Sequence, residues 1–156
     1  MDKKVKESLK QVFELVGYAI FSAYLMEKEL AFLITPPEIM KNKKLSDSNC
    51  MNQEIEKLNK CTFGQLLKKL ENHAISMTDE TKKILKKALE KRNLLVHNFF
   101  HTHNGKLGDI SEHCIMRDEL VEMTKLFKSI YDKFYQESYR NLKNLGLTQE
   151  NIENLL

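Results

Sequence analysis

At 156 residues, with 25 basic against 22 acidic side chains, a net charge of +3, 42% hydrophobic and 30% charged residues, the chain has the composition of a globular protein. A chain of this length hides roughly two-thirds of its unfolded surface in one core, so no second domain is needed and residues 1–156 are expected to form one. The charges are spread along the chain with no basic tail, which permits nucleic acid as a partner without indicating it.

Only five glycines and two prolines leave few places for tight turns, and long helices follow. Cys50, Cys61 and Cys114 are odd in number and show no CxxC spacing, and the first residues do not read as a secretory leader, so none is expected. A disulfide framework is therefore not expected, and a reducing, cytoplasmic setting is. The most apolar stretch, Val12 to Ile34, carries Glu14, Glu27, Lys28 and Glu29. It reads as a buried helix rather than a membrane span.

From Val5 onward, Leu9, Val12, Val16, Ala19 or Ile20, Ala23, Leu30 and Leu33 keep the three-and-four spacing of one helical face. This helix is expected to stop at Thr35-Pro36-Pro37, because proline supplies no amide donor and pushes the preceding residue out of the α region. A polar loop is expected over about 36–50, then a short helix over Met51–Asn59 with Ile55 and Leu58 inward. Thr62-Phe63-Gly64-Gln65 has the form of a capping box and predicts a helix through Leu66, Leu67 and Leu70. Thr78-Asp79-Glu80 predicts another start, with acidic residues at the positive end of a helix that runs at least to Phe100.

Asn104-Gly105 and Gly108 mark the next turn, and Asp109-Ile110-Ser111-Glu112 offers a second capping pattern. Leu120, Met123, Phe127, Ile130 and Phe134 then keep helical spacing toward Leu145, Gly146 ends that helix, and Thr148 starts a short terminal one. No stretch alternates with the period of two that a half-buried strand needs. The expected fold is all-α, a bundle of four to five helices with long N-terminal and C-terminal members.

One segment carries pointed chemistry. The chain has only three arginines, Arg92, Arg117 and Arg140. Arg92 is followed at once by Asn93 and five residues on by His97, inside a helix that turns almost wholly apolar through Leu94, Leu95, Val96, Phe99 and Phe100. Half-buried guanidinium and imidazole are uncommon without a partner or a purpose. On a regular helix Leu85, Ala88, Leu95 and Phe99 face the chain's own bundle with Arg92 among them, while Asn93, His97 and His101 form another row, with Phe100 beside them. Arg92 and His97 then stand roughly 140° apart. A simple Arg–His pair needs Arg92 to reach around the helix, the helix to deform, or a second subunit to complete the site. A helix apolar on two faces must be covered on two faces, so a homodimer through the Asn93, His97 and Phe100 side is expected.

The segment from Ala88 to Phe100 resembles the signature of the HEPN superfamily, small helical bundles that usually dimerise and carry Arg-x4-6-His, often with Asn, Asp or His directly after the Arg. Thr62-Phe63-Gly64-Gln65-Leu66-Leu67 and the long flanking helices are similar to that family's layout. The resemblance implies a metal-independent endoribonuclease, of the kind found in toxin–antitoxin, abortive-infection and antiviral systems, with RNA as substrate and an antitoxin as partner. It implies His97 as general base or acid for attack of the ribose 2′-oxygen on the adjacent phosphate, Arg92 as stabiliser of the phosphorane oxygens, and Asn93 as a residue that orients His97 or holds a phosphate oxygen. It implies no cofactor. The sequence departs from the family at Phe99, where toxins modified by a nucleotidyltransferase antitoxin often have tyrosine.

Two other readings stand beside this one. His97, His101, His103, His113 and Cys114 raise the question of a metal site, since histidines four apart share a helix face, but Asn98 stands where an HExxH motif needs Glu, and no metal ligand is assigned. A non-catalytic module binding RNA, a nucleotide or a protein is the alternative function, with Lys82, Lys83, Lys86 and Lys87 as a face for an anionic partner. No Gly-rich phosphate loop, nucleophile elbow or paired-carboxylate site is present, which makes nucleotide-dependent motors, serine hydrolases and glycosidases poor readings.

Overall fold

The computed structural model describes residues 2–41, 48–72, 77–144, 146 and 150. They form α1 (Lys3–Lys41), α2 (Ser48–Asn59), α3 (Phe63–Asn72), α4 (Asp79–Asn93), a π-helical turn (Leu94–Asn98), α5 (Phe99–Thr102) and α6 (Ile110–Asn144), with no strand among the described residues. With α4 to α5 taken as one helix interrupted by its π turn, the described residues give five helices, as the spacing predicts. No helix among them is long and apolar enough to cross a membrane.

The frame is the pair α1 and α6. Gln11 meets Arg117 near one end and Glu29 meets Ser138 near the other, so the two long helices run parallel. α4 and α5 return antiparallel to both, with Lys133 Nζ donating to Thr81 Oγ1 at 2.7 Å and Phe13 touching Phe100. Met116, Leu120, Met123, Phe127, Ile130 and Phe134 of α6, at three-and-four spacing, bury against Val12, Ala19, Met26, Leu30 and Leu33 of α1. A helix stripe of this kind drives folding by removing apolar surface from water.

Local signals fix the shorter elements. The capping box at Thr62 is closed in both directions, Thr62 N donating to Gln65 Oε1 at 2.8 Å and Gln65 N to Thr62 Oγ1 at 3.3 Å. Thr78 caps α4 by accepting from Thr81 N at 3.2 Å. Ile55 and Leu58 of α2 are buried as expected, Ile55 joining Phe32 and Leu142 in a second small cluster. Gly105 and Gly146 both take positive φ, at 87° and 84°, which only glycine adopts without penalty.

Three expectations need correction. α1 does not stop at Thr35-Pro36-Pro37 but continues to Lys41, and α2 begins at Ser48, so residues 36–41 and 48–50 of the expected loop are helical; residues 42–47 lie outside those described, as does Thr148. Proline's fixed φ is itself helical, and what it removes is an amide donor. Thr35, fully buried, supplies a side-chain bond in this turn, its Oγ1 donating to Ala31 O at 2.8 Å. Second, Asp109 caps α6 alone, Oδ1 accepting from Ser111 N at 2.8 Å and from Ser111 Oγ at 2.7 Å, which holds its carboxyl below the usual range. Glu112 does not reach back to complete a box, because His103 and Lys106 take its carboxylate.

Third, α1 is buried on one side only. Phe13, Tyr18, Ile20, Phe21 and Tyr24 are 46–67% exposed. Five large apolar side chains within twelve residues of one helix make an uncovered face, which scattered surface hydrophobics do not.

The same helix holds an acid in the core. Glu29 is 2% exposed, and its Oε1 meets the hydroxyl of Ser138, which also donates to Phe134 O at 2.7 Å. Burial pushes the Glu29 carboxyl up, partly offset by the Ser138 contact. A hydroxyl has one proton. When Ser138 gives it to Phe134, the bond to Glu29 requires a proton on the carboxyl.

Candidate active site

Buried positions along the fourth helix include Leu85, Ala88, Leu95 and Phe99, the row expected to face the bundle, together with Thr81. Arg92 lies in that row, half-buried. Beyond it the helix changes character: Leu94–Asn98 is a π turn, closed from residue i to i+5 instead of i+4. The distortion centres on Asn98, with φ −131° and ψ −5°.

Packing explains the wide turn. Leu95, Phe99 and His103, spaced by four, are all buried, and Phe99 lies against the His103 ring at 5.0 Å. A regular helix drifts about 40° with each step of four, which would carry His103 away from the core. One extra residue in a turn absorbs the drift. His103 then sits 4% exposed, Nδ1 2.7 Å from Glu112 Oε1 and Nε2 3.2 Å from Glu119 Oε2. The first of these contacts is the main reason that the Glu112 carboxyl titrates below its ordinary value.

The same turn changes the relation of Arg92 to His97. The separation of roughly 140° assumed a regular helix. The π turn begins two residues after Arg92 and contains His97, so the regular-helix angle does not carry over to this pair unchanged. The helix does depart from regular α geometry in this segment, over Leu94–Asn98.

Arg92 is held from α1. Its Nε donates to Glu27 Oε1 at 2.7 Å, the two side chains being 23% and 20% exposed. A charge-assisted bond at this partly dry position fixes the guanidinium plane. It occupies Nε and leaves the terminal nitrogens for a second oxyanion. Glu27 is the candidate-site residue that motif reasoning misses. Its signal was present as an acid inside the most apolar stretch of the chain, where a charge needs a partner. Beside it, a hollow of about 120 Å³ is lined by Tyr24, Glu27, Lys28, Leu58, Asn59 and Cys61.

Asn93 and His97 are both exposed, and His97 has no hydrogen-bond partner among the described residues. Phe100 is half-buried, its ring 5.4 Å from that of Phe13, so the row of Asn93, His97 and Phe100 joins the uncovered face of α1. Val96, 46% exposed in the π turn, extends the patch.

The other histidines do not gather with His97. His101 is exposed; His103 is bound by two carboxylates; His113 is fully buried, its Nε2 donating to Leu107 O at 2.9 Å. Cys114 is exposed and free. Among the described residues, no group of three or more His, Cys, Asp or Glu is arranged to hold a metal ion.

Comparison with family models, with curated proteins and with solved structures finds no match to this chain.

Proposed function

We propose that this chain is a metal-independent endoribonuclease of the HEPN type, acting as a homodimer on RNA. The observation that supports the reading is an Arg92 guanidinium fixed through Nε by Glu27, with its terminal nitrogens left for an oxyanion, on the same helix as the exposed, unengaged imidazole of His97 in a π turn. A π turn inside an α-helix is often found at functional sites. Here it holds His97 and begins two residues after Arg92, the two residue types that phosphodiester transesterification uses.

In this mechanism the ribose 2′-oxygen attacks the adjacent phosphorus, a P–O2′ bond forms and the P–O5′ bond breaks. The products are a 2′,3′-cyclic phosphate and a free 5′-hydroxyl. The 2′-hydroxyl loses a proton as the 5′-oxygen gains one. Imidazole, with an intrinsic pKa near neutrality, suits both transfers, whereas guanidinium stays charged and presents a fork to the phosphorane oxygens. Asn93 offers an amide to His97 or to a phosphate oxygen.

Each chain supplies one His97, and the reaction needs both a base and an acid. A two-fold dimer through the Asn93, His97 and Phe100 row supplies the second imidazole from the partner subunit. The uncovered apolar face of Phe13, Ile20, Phe21 and Tyr24 supports such a seam, because burying it removes a large hydrophobic surface from water. A place in a toxin–antitoxin or antiviral system, with an antitoxin as regulator, belongs to the same proposal.

The test is incubation of structured and single-stranded RNA in excess EDTA with wild type, Arg92→Ala and His97→Ala, followed by analysis of product ends. Cleavage to 2′,3′-cyclic phosphate ends that both substitutions abolish is the expected result. Intact RNA with wild type overturns the reading and favours a non-catalytic binding module.

A further inference from the structure

A groove of about 510 Å³ opens between α3 and α4, away from Arg92 and His97. Its floor is apolar, made by Leu67 and Leu89, both half-buried, buried Leu85, and Met77 at one end. Its rims are basic. Lys68 stands on the α3 side, and Lys82, Lys83 and Lys86 stand on the α4 side, against the single carboxylate of Glu71. Lys68, Lys83 and Lys86 are exposed and have no partner among the described residues, while Lys82 makes only an exposed contact of 3.7 Å to Asp79.

We infer that this groove receives an acidic amphipathic helix of a partner protein, independently of the ribonuclease reading. Three features select that occupant. The lining runs from Gly64 to Glu71 on one wall and from Lys82 to Leu89 on the other, eight residues or about 10 Å each, enough for two turns of a docked helix with anchors at i, i+3 or i+4, and i+7. Cations on both walls match carboxylates on both flanks of such a helix, where a ligand with one anionic head would use one wall. Gly64 adds no side chain, and a Cβ built there meets nothing within 4 Å, so the α3 wall is open at its start.

Single-stranded nucleic acid is the poorer fit. The groove lining has no aromatic ring on which a base could stack and no arginine to fork onto phosphate. Glu71 sets the orientation, because the docked helix must leave an uncharged or basic residue opposite it.

The probe is a stapled helical peptide with leucines at i, i+3 and i+7 and glutamates on both flanks, followed by fluorescence anisotropy against the full chain. Binding to wild type is expected to weaken at least tenfold in the Lys83→Glu/Lys86→Glu variant and in Gly64→Trp, which fills the groove. A peptide with its glutamates changed to lysine should bind Lys83→Glu/Lys86→Glu at least tenfold better than it binds wild type. Circular dichroism melts check that the variants, at exposed Lys83 and Lys86 and at half-buried Gly64, remain folded. Absence of binding to wild type overturns the inference, as does equal binding of a scrambled peptide or of the groove variants. Displacement of the peptide by single-stranded RNA, with RNA binding sensitive to the same substitutions, assigns the groove to nucleic acid instead.

Discussion

Replacing Glu29 by Gln should make the protein more stable at neutral pH, an unusual outcome for a change at a side chain 2% exposed. Gln keeps the volume and can donate an amide hydrogen to Ser138 Oγ while Ser138 donates to Phe134 O, so the pattern that the carboxyl needs a proton to make is made without one. The wild-type carboxyl is raised by burial above its ordinary 4.5, so the folded state binds its proton more tightly than the unfolded chain does. Its contribution to stability is therefore full below pH 4.5 and is lost as pH rises through the folded value. Leaving a buried polar group poorly satisfied costs about 1–3 kcal/mol, which sets the expected gain for Glu29→Gln at pH 7.5. For a chain of this size that is a rise in Tm of about 2–4 °C per kcal/mol. Thermal melts of wild type and variant from pH 3.5 to 8 measure it, and the two curves should converge at the acid end. A loss of stability that is the same at every pH would refute the reasoning, because it would mean that shape, not charge, decides at this position.

Glu27→Ala, which frees the Arg92 guanidinium, should lower kcat on RNA about 100-fold with little change in KM, as misplacement of a reacting group does, and Glu27→Gln should recover part of the loss. Glu112 has the opposite linkage to Glu29: held below 4.5 chiefly by His103, it contributes stability above that pH that is lost as pH falls through the folded value, so Glu112→Gln should flatten the acid limb of the melting profile. If the proposed dimer forms through this face, Phe21→Glu or Tyr24→Glu should convert it to a monomer by light scattering while leaving the melting temperature of the isolated chain nearly unchanged, since both side chains are more than half exposed. Phe99→Ala, which empties a site 2% exposed behind the π turn, should cost about 3–5 kcal/mol by denaturant titration.

Much of the fold was legible because its signals are local or periodic. The reciprocal bonds at Thr62 and Gln65, the cap at Thr78 and the α6 stripe from Met116 to Phe134 stand where residue type and spacing put them. The inward row of Leu85, Ala88, Leu95 and Phe99 around Arg92 was equally readable. What was not legible depends on tertiary demand. Leu94-Leu95-Val96 gives no sign of a π turn, since the extra residue is needed only to keep Leu95, Phe99 and His103 in one core. Pro36-Pro37 gives a strong local stop that the structure overrides, with buried Thr35 bonding back to Ala31. Glu27 was visible as a charge in an apolar stretch, but its partner lies 65 residues away, beyond any local pattern.

The wide turn over Leu94–Asn98 also bears on how such a segment tolerates insertion and deletion. In an unbroken α-helix, one residue gained or lost rotates everything downstream by about 100° and tears its side chains out of the core. A π turn takes up a single residue without that penalty, so the interval between the arginine and the histidine is uncoupled from the seating of Phe99 and His103. Deleting Val96 would return the turn to α geometry, with the downstream packing kept and the two polar side chains re-aimed. Natural variation in the length of this interval is thus compatible with one unchanged bundle.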